Sequence, residues 1–454
     1  MSNLIQIKKD RRASYIPLSN DRRFGTDGIR GPVDSTMNPL FVTKLGWAAG
    51  TVLLEEGITR VLIGKDTRIS GYMLESALQA GFICSGIDVV LLGPLPTPGV
   101  SFLANSNKQA GVVISASHNL FEDNGIKFFN KDGQKFSSEL EKRIETKLSQ
   151  EIDSVKSINL GKATRMSDAQ GRYIEFCKSN FQELDLKGLS LLLDCAHGAT
   201  YSVAPKVFEE LGAKVSTIGT DPDGVNINQN CGSTNPDFIR EEILKGEYDL
   251  GISFDGDGDR ILLVSRTGRI LDGDDLLYIL SKNLVNKTGV VGTLMTNKAL
   301  QLHFKQKNIE FSRAHVGDKY VLQTLLDKNW MLGGEPSGHI ICLDAAQTGD
   351  AIVAALKVLT SLKNNCYDVD KSIEGFIKFP QTLINLSVSN PNKIILNDKF
   401  WSEVTIIETK LGERGRVLIR PSGTEPLIRI MVESEDPKES EDYCNKLADL
   451  ASNL

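Results

Sequence analysis

The stretch RVLIGKDTRISGYMLESALQAGFICSGIDVVLLG, residues 60–93, shows the pattern that decides the fold. A short apolar run at 60–64 leads through a loop into a helix-like segment at 71–86, and a second apolar run follows at 87–93. Apolar runs that alternate with helical segments in this way predict βαβ units on a mostly parallel sheet.

The same alternation restarts twice along the chain. With helix-like segments between them, further strand-like runs occur at 110–115, 189–196, 213–219, 248–254, 289–295 and 309–314. The C-terminal residues differ, since a helix around 438–451 follows strand-like runs at 384–389, 416–420 and 427–433. We therefore predict an N-terminal extension, three α/β domains and a smaller α+β domain, with boundaries at 1–20, 21–165, 166–270, 271–375 and 376–454.

Composition and charge exclude several classes of protein. The 454 residues carry a net charge of −6, without the basic face of a nucleic-acid-binding protein. No apolar run approaches the roughly 20 residues that span a bilayer, and the N-terminus lacks the apolar stretch of a secretory signal. Seven scattered cysteines without a C-x-x-C pair fit reduced thiols. We expect a cytoplasmic protein that binds neither nucleic acid nor membrane.

Three carboxylates alternate with glycines in FDGDGDRILLV, residues 254–264. So dense a cluster of like charges is unfavourable unless a cation neutralises it, and hard oxygen ligands suit Mg²⁺ or Ca²⁺. An EF-hand is excluded, because its sixth and twelfth positions, glycine and glutamate, are here Arg260 and Arg266. The pattern predicts a divalent-cation site at Asp255, Asp257 and Asp259, with a solvated acidic turn as the alternative.

Two serines follow the strand-like run of GVVISASHN, residues 111–119. Ser115 and Ser117 stand where a strand ends, which is where α/β proteins bind their ligands, so both are candidate nucleophiles. The pattern G-x-S-x-G is absent, and an acyl-transfer elbow is not indicated. His118 is a poor direct base, because neighbouring side chains of an extended chain point apart. Taken alone, the segment can equally be a polar turn.

Other segments carry groups that suit an anionic ligand. RPSGTEPLIRI, residues 420–430, offers hydroxyl, backbone N–H and guanidinium donors to a phosphate, although an ordinary turn with surface arginines is the alternative. Glu335 and Ser337 in GGEPSGHI can receive hydroxyl groups, or Glu335 can cap a helix. Positive charge is available from Arg30 in FGTDGIRG and from Lys65 and Arg68 in GKDTR.

The motifs FGTDGIRG, ISASHN, DGDGDR, GGEPSGH and RPSGTEPLIRIMVE together resemble the α-D-phosphohexomutase superfamily, and most closely its bacterial phosphoglucosamine mutases. The resemblance runs from about Arg23 to the C-terminus, with the motifs in the same order. It implies four domains around a central cleft, three of them related mixed α/β-sheet domains and the last a smaller α+β domain. It further implies interconversion of glucosamine 6-phosphate and glucosamine 1-phosphate, which feeds amino-sugar nucleotide and cell-wall precursor synthesis.

The resemblance also implies a mechanism and a set of residues. A phosphoserine at Ser117 passes its phosphate to the phosphosugar, a hexosamine bisphosphate forms as a bound intermediate, and one Mg²⁺ per subunit binds to Ser117, Asp255, Asp257 and Asp259. The candidates for proton transfer or active-site electrostatics are Arg30 and Lys127. The expected substrate-binding residues are Glu335, Ser337, Arg420, Ser422, Gly423, Thr424 and Arg429. Supporting charge is expected from His118, Arg260, His315 and Lys319, and His315 is a third candidate for moving the proton.

The sequence departs from the family pattern at two places and leaves alternatives open. Leu120 stands where the family usually has proline, and Lys319 where related enzymes carry arginine. The alternatives are a phosphomannomutase/phosphoglucomutase of the same superfamily, a non-catalytic sugar-phosphate sensor and a metal-dependent phosphatase. A sensor should have lost the serine or an aspartate, and none is missing. A homodimer is one assembly that the sequence leaves open.

Overall fold

The protein is described here in a computed structural model, which describes residues 24–25, 27–284, 289–388, 390–421 and 427–454. The chain divides into two compact units. One comprises Asp21–Met295 and Ile309–Glu374 and contains three sheets, and the other includes Thr296–Asn308 and Gly375–Leu454 and contains a fourth sheet. The predicted N-terminal extension, residues 1–20, lies outside the described residues.

The first domain is built on a six-stranded sheet. Its strands are β1 (Ile29–Pro32), β2 (Arg60–Lys65), β3 (Asp88–Pro94), β4 (Ala110–Ile114), β5 (Asp123–Phe129) and β6 (Ala163–Arg165), and its helices are α1 (Pro39–Glu55), α2 (Ser70–Ser85), α3 (Thr97–Asn107) and α4 (Ser138–Leu148). The spatial order is β1-β5-β4-β2-β3-β6. The pairs β4–β2, β2–β3 and β3–β6 are parallel, whereas β5 runs antiparallel to both of its neighbours, β1 and β4.

The second domain has five strands. They are β7 (Ser190–Asp194), β8 (Lys214–Ile218), β9 (Leu250–Phe254), β10 (Ile261–Ser265) and β11 (Ile270–Leu271), with the helices α5 (Ala169–Ser179), α6 (Ala204–Glu210) and α7 (Pro236–Lys245). The order is β11-β10-β9-β7-β8. Strand β7 is parallel to both of its neighbours, and β10 is antiparallel to β9 and β11.

The third domain has four strands. They are β12 (Val290–Thr293), β13 (Phe311–Ala314), β14 (Leu332–Gly334) and β15 (Ile340–Cys342), and the helices in the same unit are α8 (Gly273–Ser281), α10 (Asp318–Lys328), α11 (Ala351–Leu362) and α12 (Val369–Ser372). Between β12 and β13 the chain passes through α9 (Lys298–Gln306), which belongs to the other unit. The order is β13-β12-β14-β15, with only the β14–β15 pair antiparallel.

The three sheets share one four-stranded arrangement. In spatial order it reads β5-β4-β2-β3 in the first domain, β10-β9-β7-β8 in the second and β15-β14-β12-β13 in the third. In each of these arrangements, the strand that comes third along the chain (β4, β9 or β14) is joined by a turn to an antiparallel fourth strand (β5, β10 or β15). We call these connections the serine turn (115–122), the acidic turn (255–260) and the glutamate turn (335–339). The prediction of three related mixed α/β domains is confirmed, and three predicted motifs occupy equivalent turns.

The strands that lead into the turns are fully covered. Every residue of β4 (AGVVI) and β9 (LGISF) is buried, as expected of central strands with both faces packed. Local signals fix helix starts nearby, since Asn38 caps α1, where proline occupies the first helical turn, and Ser137 caps α4. The serine and acidic turns therefore follow strands that are packed on both faces.

The C-terminal unit is a smaller α+β domain, as predicted. It comprises β16 (Gln381–Ser387), β17 (Gly415–Pro421), β18 (Leu427–Ser434), α13 (Pro391–Ile395), α14 (Asp398–Leu411) and α15 (Pro437–Ser452), together with α9. The three strands form an antiparallel sheet in the order β16-β18-β17. The backbone N–H of Lys298 donates to Glu433 at 2.9 Å, and Arg416 donates to the carbonyl of Thr296 at 2.8 Å. The predicted boundaries at 165, 270 and 375 stay predictions.

In the described part of the chain, no helix has both the length and the apolar character needed to cross a membrane.

Candidate active site

The hydroxyl of Ser117 points at the acidic turn. Its Oγ donates to Asp255 Oδ2 at 2.7 Å, although 138 residues separate the two in sequence. Ser117 is 1% exposed and has a φ of +53°, a left-handed conformation that is uncommon for a residue other than glycine. The Oγ of Ser115 accepts the Ser117 N–H at 2.9 Å. The serine turn thus holds one hydroxyl against a carboxylate of the second domain.

Two side chains hold the carbonyl groups of the serine turn. Asn228 Nδ2 donates to the carbonyl oxygens of Ser117 and Asn119, each at 2.9 Å. The buried guanidinium of Arg68 donates to the same two carbonyls and pairs with Asp66. These donors come from outside the turn, so the conformation of Ser117 is fixed by the first and second domains together.

The three aspartates of the acidic turn converge. Each offers an oxygen within 4.8 Å of the others, and all three residues are buried. Asp255 Oδ1 accepts the backbone N–H groups of Asp259 and Arg260, each at 3.1 Å. A Cβ added at Gly256 would lie 2.6 Å from the carbonyl oxygen of Ser117. Glycine is therefore required where the two turns approach each other.

The pKa values of two carboxylates in the triad are shifted in opposite directions. Burial, followed by the charges of Asp259 and Asp257, raises the pKa of Asp255 well above its usual value. Burial also acts to raise the pKa of Asp257, but the Lys127 ammonium at 2.7 Å lowers it overall. Asp257 Oδ1 accepts no hydrogen bond from any described residue. An all-oxygen set with a free buried oxygen fits Mg²⁺, and the triad would hold it.

Lys127 and Arg30 both reach Asp27. Lys127 Nζ lies 3.0 Å from Asp27 Oδ2, 2.7 Å from Asp257 Oδ2 and 3.5 Å from Asp259 Oδ2. Arg30 also pairs with Asp27, and burial lowers the pKa of its guanidinium. The structure therefore brings the two predicted proton-transfer candidates together beside the acidic turn.

The glutamate turn contributes a buried and an exposed group. Glu335 is buried, and its Oε1 accepts the Gly317 N–H at 2.9 Å, whereas Ser337 is exposed. His339, at the end of the same turn, lies with Nδ1 3.6 Å from Asp259 Oδ1. The serine turn and the glutamate turn thus both contact the acidic turn, through Asp255 and Asp259 respectively.

His118 is closer to Ser117 than the sequence suggested. Its Nδ1 lies 3.3 Å from Ser117 Oγ, so the expectation that the two side chains point apart is wrong. The reason is the left-handed backbone of Ser117, which brings successive side chains to one side. Burial, then the charges of Arg260 and Arg30, lowers the pKa of His118 to about 4. The imidazole is therefore neutral near pH 7.

The other predicted supporting residues are more dispersed. Arg260 Nε lies 3.9 Å from Asp259 Oδ1. Lys319 Nζ forms an ion pair with Glu141 Oε2 at 2.8 Å. The ring of His315 packs edge-on against Tyr320, with 5.6 Å between the ring centroids.

The predicted phosphate-binding residues lie in the C-terminal unit. Arg420 in β17 and Arg429 in β18 are directly opposite each other in the antiparallel register. Two like charges at facing positions repel unless an anion or another partner lies between them. Ser422, Gly423 and Thr424 lie outside the described residues.

Some residues of the site escaped the sequence analysis. Asn228 and Lys135 belong to no motif that marks them, and the second of these pairs with Asp27. Asp318 directly precedes Lys319, and His339 lies in the motif GGEPSGH, but the contacts of Asp318 and His339 were not predicted. Only the tertiary arrangement identifies these four residues.

Comparison with known proteins places this geometry in a family. Four domain profiles of the phosphoglucomutase/phosphomannomutase family match in order, namely α/β/α domains I, II and III at residues 21–154, 171–268 and 272–379, and the C-terminal domain at residues 383–450. Among solved structures, a phosphoglucomutase/phosphomannomutase family protein from Burkholderia thailandensis has a TM-score of 0.82 at 23% identity, with 96% of this chain and 98% of that chain covered. An N-acetylphosphoglucosamine mutase from Aspergillus fumigatus, solved with GlcNAc-6P and magnesium, has a TM-score of 0.69 at 16% identity over 99% and 98% of the two chains.

Curated relatives are more similar still. A phosphoglucosamine mutase from Aeromonas hydrophila is 52% identical over 432 residues, 94% of this chain and 97% of the relative. One from Legionella pneumophila (strain Corby) is 51% identical over 444 residues, 96% of this chain and 98% of the relative. The chain therefore belongs to the phosphoglucosamine mutase family, within the α-D-phosphohexomutase superfamily.

Proposed function

We propose that this chain is a cytoplasmic enzyme that interconverts glucosamine 6-phosphate and glucosamine 1-phosphate through a phosphorylated Ser117. The observation that carries the proposal is the contact of Ser117 Oγ with Asp255 Oδ2 at 2.7 Å, within a buried triad of carboxylates. A hydroxyl in that position is suited to carry a phosphoryl group next to a bound cation. The names of the curated relatives support the amino sugar as substrate.

The acidic turn and the phosphorylated Ser117 would hold one Mg²⁺ per subunit. The ligands from the turn are Asp255, Asp257 and Asp259, whose oxygens converge within 4.8 Å. When bound, the cation offsets negative charge on the transferring phosphoryl group. The Aspergillus fumigatus mutase was solved in complex with magnesium, which supports this choice of metal.

The chain's own groups then account for the transfer. The bond between phosphorus and Ser117 Oγ breaks as a bond forms to a hydroxyl oxygen of the hexosamine monophosphate, and the hydroxyl proton passes to a base of the site. Lys127 and Arg30, which meet at Asp27, are the candidates for moving that proton or for balancing its charge. The bisphosphate turns end over end while bound, and its other phosphate returns to Ser117.

The remaining site residues bind and orient the sugar phosphate. Glu335 and Ser337 contact the sugar, and the phosphate that does not react is held by Arg420, Ser422, Gly423, Thr424 and Arg429. Arginine suits this task because its planar fork of donors can bind phosphate in a bidentate manner. The electrostatic surroundings come from His118, Arg260, His315 and Lys319.

The Ser117→Ala variant tests the proposal. We expect its turnover of glucosamine 6-phosphate to be abolished, because no oxygen is left to carry the phosphoryl group, while substrate binding measured by calorimetry is retained. Wild-type turnover in the variant would refute the role of the serine. With the unmodified enzyme, faster turnover of mannose 6-phosphate or glucose 6-phosphate would favour the phosphomannomutase/phosphoglucomutase alternative, and release of inorganic phosphate would favour a phosphatase.

A further inference from the structure

We propose that Lys135 is a positioning residue of the phosphoryl-transfer site, which acts on Lys127 and His339 through the carboxylates of Asp27 and Asp318. The proposal rests on the proposed function, since it concerns the same site. Lys135 has no place in the motifs of the sequence, and its importance follows from the way in which charged side chains from three domains meet.

Lys135 connects the first domain to the third. Its side chain is only 10% exposed, and its Nζ lies 2.5 Å from Asp318 Oδ2. On its other side the same ammonium pairs with Asp27 Oδ1. Burial alone would raise the pKa of Asp318, but Lys135 and His339 hold it at about 2, so this carboxylate is ionised. One buried cation therefore pairs with two carboxylates at once.

Each of the two carboxylates also contacts a second basic side chain, and that side chain in turn contacts the acidic turn. The second oxygen of Asp27 lies 3.0 Å from Lys127 Nζ, which is 3.5 Å from Asp259 Oδ2. Asp318 Oδ2 lies 3.6 Å from His339 Nε2, and the other ring nitrogen of His339 is 3.6 Å from Asp259 Oδ1.

These contacts close into a ring in which basic side chains alternate with carboxylates. In order around it stand Lys135, Asp27, Lys127, Asp259, His339 and Asp318. The residues of the ring come from all three α/β domains. Lys135, Asp27 and Lys127 belong to the first domain, Asp259 to the second, and His339 and Asp318 to the third. Within the described part of the chain, Lys135 forms no hydrogen bond or ion pair with Ser117 or the aspartate triad.

The ring lets Lys135 set where two other side chains lie. Charges that are shielded from water interact strongly. A buried ion that loses one partner is therefore attracted more strongly to the oppositely charged groups that remain. Without the Lys135 ammonium, Asp27 would attract Lys127 more strongly, and Asp318 would attract His339 more strongly. Both side chains would then shift away from the acidic turn, where displacements of this kind reduce turnover steeply.

Steady-state kinetics test the proposal on the full chain. Lys135→Met removes the charge at similar length, and we expect kcat for glucosamine 6-phosphate to fall about 10- to 100-fold, as for other residues that orient ligands at one remove. KM should stay within about threefold, and Lys135→Arg should recover most of kcat. Lys108→Met is the matched control, because Lys108 contacts Asn105 at 2.9 Å and Asp132 at 3.3 Å on the exposed surface, and it should retain wild-type kinetics.

Chemical rescue separates a positioned charge from damage to the fold. Added propylammonium should restore part of the kcat of Lys135→Ala, which leaves room for it, and none of the kcat of Lys135→Met, which does not. Manganese binding, measured by titration calorimetry, should be retained in both variants, because all three aspartates are present. Failure of rescue combined with lost manganese binding would show general damage to the site and overturn the proposal.

A crystal structure of the Lys135→Met protein tests the positioning apart from turnover. Lys127 Nζ is expected to leave its 2.7 Å contact with Asp257, and an unchanged contact would overturn the proposal even if the unmodified enzyme proved inactive on glucosamine 6-phosphate. If this variant does not fold, Asp318→Asn, which opens the ring at one place, replaces it in the kinetic and crystallographic measurements. Wild-type kinetics in both variants would be equally decisive against the proposal.

Discussion

Gly256 marks the point at which two domains come too close for a side chain. An added Cβ would lie 2.6 Å from the carbonyl oxygen of Ser117 and 2.7 Å from Asn228 Nδ2. Neither atom can yield easily, because the carbonyl belongs to a buried turn and the amide holds two carbonyls of that turn. A single methyl group is thus enough to disturb the placement of the hydroxyl without touching any group that takes part in the chemistry.

Replacing Gly256 with alanine should therefore affect turnover more than folding. We expect kcat to fall about 100-fold, because displacements of about 1 Å at a reacting group have effects of this size. The matched control is Gly171→Ala in α5, where nothing lies within 4 Å of the new Cβ and alanine favours the helix. Kinetics and thermal unfolding of both variants check this. Equal turnover in the two variants would contradict the prediction.

Among the elements, α11 starts at an unusual cap. The side chain of Asp350 accepts the Val353 N–H at 3.0 Å and the Tyr173 hydroxyl at 2.9 Å, and so joins α11 to α5 of the second domain. Burial raises the pKa of Asp350 from 3.8 to about 6, against the effect of these hydrogen bonds. Between these two pH values the folded state binds a proton that the unfolded state has released. The free energy of unfolding therefore falls as the pH rises through this window.

Asp350→Asn should remove this pH dependence. Asparagine keeps the shape of the cap but carries no charge, so the variant should gain about 2 to 3 kcal/mol relative to the unmodified protein between pH 4 and pH 8. Thermal unfolding of both proteins at the two pH values measures the difference. A gap in Tm that does not change with pH would show that Asp350 is not the titrating group.

The elements also show what the sequence can predict. The apolar runs at 110–115 and 248–254 correspond to β4 (110–114) and β9 (250–254), because a buried strand is a local pattern. The aspartate triad was predicted for the same reason, since its three members lie within five consecutive residues. Asn228 was missed because it is 111 residues from Ser117, and nothing local signals a contact at that separation.

On the scale of the whole molecule, compact units do not follow the order of the chain. Helix α9 stands between two strands of the third domain in sequence but belongs to the C-terminal unit. Its capping residue, Asn297, both donates to the carbonyl of Phe379 and accepts the Phe379 N–H, each at 3.0 Å. The boundary predicted at 375 does not reveal that α9 belongs to the C-terminal unit. A prediction from strand-like and helix-like runs treats each domain as one contiguous segment of the chain.

Asn297→Ala should accordingly weaken the C-terminal unit. Loss of both hydrogen bonds to Phe379 should increase amide hydrogen exchange in β16 and β18, because α9 is less firmly attached to the unit that contains them. Thr324→Ala serves as control, since its hydroxyl bonds within α10, to the carbonyl of Tyr320 at 2.8 Å. Exchange in β16 and β18 that is the same in both variants would contradict the prediction.

The repeated four-stranded arrangement has a consequence for how such a chain can change over time. The supplementary strands β1, β6 and β11 all lie at the margins of their sheets, outside the four strands that the domains have in common. Strands added at these margins leave the three equivalent turns where they are. Side chains in one of these turns can then be exchanged, and the chemistry of the site altered, while the strands that position the other two turns stay the same.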